Sequence, residues 1–118
     1  MMFVNFFTTY MPESKTVKIV VFAPESHADI VREAMGKAGA GRIGNYKHCS
    51  FASKGIGRFR PEEGSHPTIG IVGTLESVVE ERIEAVCERD TIEAVIKAIK
   101  QVHPYEEVAY DIYPLEKL

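Results

Sequence analysis

The chain of 118 residues contains only two cysteines and no excess of basic residues. Cys49 and Cys87 have no second cysteine at ligand spacing, which argues against a disulfide scaffold or a zinc knuckle and favours a reducing, cytoplasmic compartment. The 14 Lys and Arg are outnumbered by 17 Asp and Glu, for a net charge of -3 at pH 7. Without a basic surplus to neutralise phosphates, nucleic acid is not an expected partner.

The sequence also lacks a long apolar run and any familiar catalytic motif. The oily stretch at residues 2–7 has no basic n-region and is far shorter than the roughly 20 residues that span a bilayer, so we expect no membrane anchor. Residues 1–15 are predicted to be an N-terminal extension, whose first ten residues are either an upstream start or an extra docked strand. No nucleophile elbow, H-E-x-x-H or Walker sequence occurs. We therefore expect binding rather than catalysis.

Hydrophobic periodicity in residues 16–118 predicts one domain of mixed strands and helices. We expect the two helices to begin at capping pairs, Ser26 with Asp29 and Asp90 with Glu93, and the first to end at Gly39. The predicted elements are, in chain order, a strand over 17–23, a helix over 26–38, a strand over 46–53, a strand over 79–87, a helix over 90–102 and a strand over 108–113.

One segment, residues 75–88, fits two periods. Its apolar residues match helical spacing, but from Val79 to Cys87 they also alternate with charged residues as in a strand. The strand interpretation gives two copies of strand, helix, strand, which is the ferredoxin-like split βαβ arrangement. We therefore predict an α+β fold with a four-stranded antiparallel sheet and two helices on one face. So short a chain leaves nothing but its own copies to cover the other face, which predicts an oligomer.

A glycine-rich segment, residues 39–44, matches G-x-G-x-x-G but follows a helix instead of opening one. The dinucleotide-binding fingerprint requires the reverse order, so the match is not evidence for a nucleotide site. A helix C-cap at Gly39 followed by a tight return explains the glycines better. The alternative is a small anion-binding nest in which Arg42 joins the backbone amides.

A long connection at residues 54–70 gathers Lys54, Arg58 and Arg60 around Phe59. Connections of this length in a small domain are usually functional or mobile. The three cations predict a grip on an acidic or phosphorylated ligand, and the alternative is a solvated hairpin tip.

The connection at residues 103–107 concentrates an imidazole, a phenol and two carboxylates. These groups suit a divalent metal, with His103 and Glu106 as ligands and His48 or His66 as distant partners. The structural alternative is favoured, because a histidine in the last helical turn complements the helix dipole and Pro104 ends a helix. Cys49 beside His48 is interpreted as core packing, since neighbours on a strand face opposite sides.

An ordered series of motifs between about residues 17 and 115 resembles the accessory domain inserted in the bacterial Nif-three (YqfO-type) proteins, here in a standalone form. The resemblance implies a fold like that of CutA, the divalent-cation tolerance protein, and of the PII signalling proteins. It also implies a homotrimer, with a dimer as the alternative. The motifs that carry it lie at residues 39–41, 43–46, 48–51, 55–59, 61, 64–67, 80–84 and 103–113.

The resemblance implies a function only in part. The larger proteins bind two metals through their main domain and are often described as hydrolases or cyclohydrolases, but no segment here corresponds to that domain. What it implies is a ligand-binding or regulatory module for a small anionic ligand or a partner protein, with residues 54–66 in the place of the PII effector loop. Residues 103–106 look like the His-Pro-Tyr motif of CutA. The expected ligand-binding residues are Arg42, His48, Lys54, Arg58, Arg60, His103, Tyr105 and Glu106, and the alternatives are a divalent-metal-binding protein and a minor hydrolase with an intersubunit site.

Overall fold

A computed structural model describes residues 14–116, and they form a four-stranded antiparallel sheet with strand order β2-β3-β1-β4. The predicted α+β fold is confirmed, whereas the predicted extension over residues 1–15 lies almost wholly outside the described residues. Two helices pack on one face of the sheet. The elements are β1 (Thr16–Pro24), α1 (Ala28–Lys37), β2 (Phe51–Phe59), β3 (Glu76–Glu88), α2 (Ile92–Val102) and β4 (Tyr110–Leu115).

The central strand β1 is buried on both faces, as its β-branched run predicts. Val17, Ile19 and Val21 point toward the helices and are fully buried. Val20 points to the other face and is nevertheless 0% exposed, between Glu84 on β3 and Asp111 on β4. We call this second face, which no helix of the described chain covers, the outer face.

The core lies between the sheet and an apolar stripe on each helix. Val31 and Met35 of α1 and Val95 and Ile99 of α2 are buried against the β1 side chains. Burying one such side chain stabilises the fold by about 1.5–3 kcal/mol, so this layer provides most of the favourable free energy of folding. Within residues 14–116, neither helix has the length and hydrophobicity needed to cross a membrane.

Both helices begin differently from the prediction. A short 3-10 turn precedes each, Glu25–His27 before α1 and Arg89–Thr91 before α2, and neither N-cap makes a side-chain hydrogen bond. Ser26 instead bonds the ring of His27, at 2.8 Å between Oγ and Nδ1. The predicted capping pairs are therefore wrong, because the 3-10 turn moves Ser26 and Asp90 out of the N-cap position.

Residues 76–88 form a strand, which confirms the choice between the two periods. The predicted second strand was misplaced, since β2 begins at Phe51 and runs through the glycine-containing segment that we expected to be a loop. Residues before Phe51 cannot continue the ladder because His48 has a left-handed φ of 59° and the Cys49 N–H bonds the Gly41 carbonyl at 2.9 Å. β3 is long enough to pair with all of β2, so Gly55 and Gly57 are held in the strand.

His103 fixes the connection from α2 to β4. Its ring is 7% exposed, and Nε2 lies 2.7 Å from the Phe22 carbonyl oxygen. The backbone N–H of Tyr105 donates to Nδ1 at 3.1 Å, so Nε2 carries the proton and donates to Phe22. Both ring nitrogens therefore hold backbone groups of different elements, and the neutral imidazole joins the end of α2 to β1.

We predict that acid destabilises the protein through His103. Burial lowers the pKa of the imidazole in the folded chain, whereas the unfolded chain protonates near the ordinary value of about 6.5. The stabilisation from neutral His103 is therefore complete above about pH 6.5 and is lost as the pH falls toward the lower folded pKa. Urea titrations should show the free energy of unfolding falling between about pH 7 and about pH 5.

Substituting the ring isolates this effect. His103→Gln retains a donor for Phe22 but does not titrate, so its unfolding free energy should depend less on pH than that of the wild type. His66→Gln changes an exposed histidine and serves as the control. Equal pH dependence in the wild type and His103→Gln would show that the ring is not the group responsible.

Candidate functional site

The candidate site lies where the β2–β3 hairpin extends beyond the end of β1. The β1–β3 ladder ends at the pair Pro24 and Glu80, so among the described strands residues 76–79 of β3 pair only with β2. The space next to this projecting end is filled by the β2–β3 loop, residues 60–75, and by the connection at 103–109. Two segments distant in sequence therefore meet at one end of the sheet.

Hydrogen bonds dock the loop onto the connection. The Thr68 hydroxyl donates to the Pro104 carbonyl at 2.6 Å, and the His66 N–H donates to the Glu106 carboxylate, at 3.1 and 3.2 Å to its two oxygens. Within the loop, the Gly73 N–H donates to the Pro61 carbonyl at 2.8 Å. These bonds give the loop a defined path although it has no regular secondary structure.

Loop and connection enclose a cavity of about 290 Å³, which we call the Tyr105 pocket. The rings of Tyr105 and Phe59 lie 6.0 Å apart and are tilted by 55°. The edge of the Tyr105 ring also contacts the His103 ring, at 5.0 Å between centroids. The other lining residues are Gly57, Arg58, Pro61, Ser65, Pro67, Thr68, Ile69, Glu80, Glu106, Glu107 and Ala109.

Glu80 orients the Tyr105 ring. The phenol donates to Oε2 of Glu80 at 3.0 Å, and burial together with this carboxylate raises the pKa of Tyr105, so the hydroxyl stays protonated. Gly57 makes room for the bond, because a Cβ at that position would lie 2.1 Å from the Glu80 carboxylate. A residue with a side chain at position 57 would thus push Glu80 out of place.

The predicted basic cluster does not assemble at this pocket. Lys54 forms an ion pair with Glu25 at 2.6 Å, and Arg60 pairs with Glu62 at 3.4 Å. Arg58 borders the pocket, but strand alternation directs its side chain to the face opposite Phe59 and Glu80. Three of the predicted residues do border this pocket: Arg58, Tyr105 and Glu106.

Arg42 lies in a separate cavity of about 730 Å³ that also includes Thr16, Glu88 and Leu115, at the end of β1 away from the Tyr105 pocket. The predicted C-cap is confirmed, since Gly39 has a φ of 112° and the Ala40 N–H donates to the Met35 carbonyl at 3.0 Å. For the alternative, an anion-binding nest, the N–H groups of residues 39, 40, 41 and 43 are not available, because all four donate to backbone carbonyls. Any anion held there must rely mainly on the Arg42 side chain.

The four residues suggested as metal ligands do not converge. Within residues 14–116, no group of three or more His, Cys, Asp and Glu side chains is arranged to hold a metal ion. Both ring nitrogens of His103 bond backbone groups, and His66 reaches Glu106 through its backbone N–H and not its ring. His48 is on the α1 side of the molecule, 4.0 Å from Glu33. The structure therefore does not support a shared site for these ligands.

Sequence reasoning did not single out Gly57 or Glu80 as site residues, and it considered Glu107 only as one of the two carboxylates in the 103–107 connection. Gly57 was part of the long connection predicted over residues 54–70, and Glu80 looked like an ordinary solvent-facing position of an alternating strand. The signal that could have found them is the pairing register, because β2–β3 pairing places Gly57 opposite Val78, next to Glu80 on the same face. That register cannot be read from either strand alone.

Comparison with known proteins identifies relatives over most of this chain, although no family model matches. A GTP cyclohydrolase 1 type 2 homolog of Halalkalibacterium halodurans is 55% identical over 98 residues, which is 83% of this chain and 26% of that protein. The protein of the same name in Bacillus subtilis is 53% identical over 100 residues, or 85% of this chain and 27% of that protein. The chain thus spans about a quarter of the length of these relatives.

Comparison with solved structures also finds similarity over most of this chain. A Bacillus cereus protein related to NIF3 superposes with a TM-score of 0.77 at 50% identity, over 91% of this chain and 27% of that chain. CutA from Archaeoglobus fulgidus (TM-score 0.65, 86% of this chain and 85% of that chain) and GlnK from B. subtilis (0.54, 85% and 84%) are each 16% identical and show the fold alone. The resemblance to part of the Nif-three (YqfO-type) proteins is therefore confirmed over about a quarter of their length, and the fold is that of CutA and GlnK.

Proposed function

We propose that this chain is a non-catalytic, self-associating module that binds a small ligand in the Tyr105 pocket. The observation that carries the proposal is the pocket itself, which two sequence-distant segments enclose and hydrogen bonds hold in place. Small-molecule sites are typically concave and mostly apolar, with a few placed polar groups. The Tyr105 pocket has this composition.

The hydrogen bonds of the titratable groups near the pocket are more consistent with binding than with catalysis. The Tyr105 phenol already donates to Glu80, and the two nitrogens of His103 hold Phe22 and the Tyr105 backbone. A general base needs a free position within hydrogen-bond reach of the proton that it removes. The imidazole and phenol nearest the pocket are instead part of its structure.

An anionic group, on a ligand or a partner protein, is proposed to bind at Arg42. Among residues 14–116, Arg42 has no ion-pair or hydrogen-bond partner, in contrast to Lys54 and Arg60. A guanidinium bordering a cavity binds carboxylate or phosphate through two parallel hydrogen bonds. This anion site and the Tyr105 pocket lie at opposite ends of β1.

The outer face of the sheet is proposed to be the self-association surface. Phe51 and Tyr113 are exposed there, by 68% and 41%, around buried Val20. Glu84 on the same face bonds both Arg82 at 3.1 Å and Lys18 at 3.2 Å, and these two cations lower the pKa of the Glu84 carboxyl. Because these charges already pair with one another, contact with a copy of the chain does not leave them unpaired. A homotrimer is the proposed assembly, with a dimer as the alternative.

We predict that Phe51→Lys weakens self-association, because it places an unpaired charge in an apolar contact. Sedimentation equilibrium of the wild type should give a mass above that of one chain, and the variant should shift toward the monomer. Ile30→Lys is the matched control, since Ile30 is 51% exposed on α1, away from the outer face. A wild type that sediments as a single chain at micromolar concentration would contradict the proposed assembly.

We predict that the Tyr105 pocket binds the neutral aromatic probe 2-phenylethanol. Titration followed by ¹H–¹⁵N NMR should give saturable shifts at the amides of Phe59, Ile69, Tyr105 and Ala109. Gly57→Ala should weaken binding about tenfold, since the methyl group displaces Glu80 and releases the Tyr105 ring, and tenfold corresponds to about 1.4 kcal/mol.

The control for this experiment is Gly55→Ala. Gly55 lies in the same strand, but a Cβ there has nothing within 4 Å. Its affinity for the probe should equal that of the wild type. If the wild type shows no saturable shifts at these amides, the Tyr105 pocket is not a ligand site.

A further inference from the structure

We infer that the Tyr105 pocket selects an organic cation: an amine with an apolar or aromatic body. The inference rests on the proposed function of this pocket and adds the charge of its ligand. It differs from the anionic ligand expected from the sequence, since that expectation depended on a basic cluster that the fold disperses.

The lining of the Tyr105 pocket carries more negative than positive groups. Three carboxylates border the pocket, Glu80, Glu106 and Glu107, against the single guanidinium of Arg58. Glu80 and Phe59 share one face of the sheet, whereas alternation turns Arg58 toward the other. The potential in the pocket is therefore negative and attracts a cation.

The three carboxylates of the lining differ in whether they already have a hydrogen-bond partner in the protein. Glu80 accepts the phenol of Tyr105 and Glu106 accepts the His66 N–H, so both already have donors. Glu107 is exposed at the rim and has no hydrogen-bond or ion-pair partner among residues 14–116. A ligand ammonium group would provide the missing partner.

The pair of aromatic rings in the Tyr105 pocket also favours a cation. Phe59 and Tyr105 contact each other, at 6.0 Å between centroids with a tilt of 55°, and both line the cavity, so a group held in the cavity packs against this ring pair. Cations bind favourably within about 6 Å of an aromatic ring face because of the negative potential of the ring. Pro61, Pro67 and Ile69 supply apolar contacts for the body of the ligand. Charge, free carboxylate and rings thus favour the same class of ligand.

The test compares three probes of nearly equal shape: phenethylammonium, neutral 2-phenylethanol and anionic phenylacetate. Their dissociation constants for the full chain are measured by NMR at the pocket amides. We expect phenethylammonium to bind about tenfold more tightly than 2-phenylethanol, and phenylacetate to bind least tightly. Glu107→Gln should reduce the preference for the amine over the alcohol to about threefold. Glu63→Gln, an exposed loop carboxylate outside the lining, is the control and should leave both constants unchanged.

The other possible outcomes separate failure of the cation preference from failure of the proposed binding function. If the amine and the alcohol bind equally well, or phenylacetate binds best, the cation preference is overturned while the pocket remains a binding site. A preference that Glu107→Gln does not alter also overturns the proposal, because the ammonium group then lies elsewhere. If none of the three probes gives saturable shifts, the proposed function fails together with this inference.

Discussion

The nine-residue antiparallel ladder between β1 and β3 is the constraint on which the rest of the structure depends. It pairs Thr16 with Glu88 at one end and Pro24 with Glu80 at the other. Because side chains alternate across a strand, this register puts Ile83, Ala85 and Cys87 in the core and sends Arg82 and Glu84 to the outer face. A slip of one residue would exchange the two sets and bury the charges.

The same ladder creates the end of the molecule that holds the candidate site. β3 has 13 residues and β1 has nine, so β3 continues past Pro24, where β2 is its only strand neighbour in the described part of the chain. The unoccupied space beside β3 is where the loop and the 103–109 connection dock. His103 links this region to the core, since its ring bonds Phe22 in β1 and Tyr105 beside the pocket. Pocket geometry and core stability are therefore coupled through one neutral imidazole.

The two ends of the sheet differ in chemistry. One end presents Arg42, which has no partner within residues 14–116, and the other presents aromatic rings and carboxylates around the Tyr105 pocket. The two proposed binding regions therefore differ in charge and in shape. In the relatives, the segment that this chain matches is about a quarter of the protein, and the chain matches none of the remaining three quarters. The proposals here concern only the residues of this chain.

Local sequence determined the elements whose pattern is strong. The β-branched run of β1 and the apolar stripes of α1 and α2 predicted their places closely, because burial on a fixed face imposes a period that composition alone reveals. The strand at 76–88 was predicted from the topology, because its periodicity fits both a helix and a strand. The ordered series of motifs indicated the resemblance to the Nif-three (YqfO-type) proteins. Gly39 was interpreted correctly because a helix end that needs positive φ favours glycine locally.

Tertiary structure alone decided the limits of β2 and the composition of the site. Glycines in residues 51–59 have low strand propensity, and only pairing with β3 overrides it. Lys54 and Arg60 looked like members of one basic cluster, but Glu25 and Glu62 take them as ion-pair partners. Gly57, Glu80 and Tyr105 meet across strand register and a long loop. Such contacts depend on the whole fold, because sequence period specifies which face a residue occupies but not what it finds there.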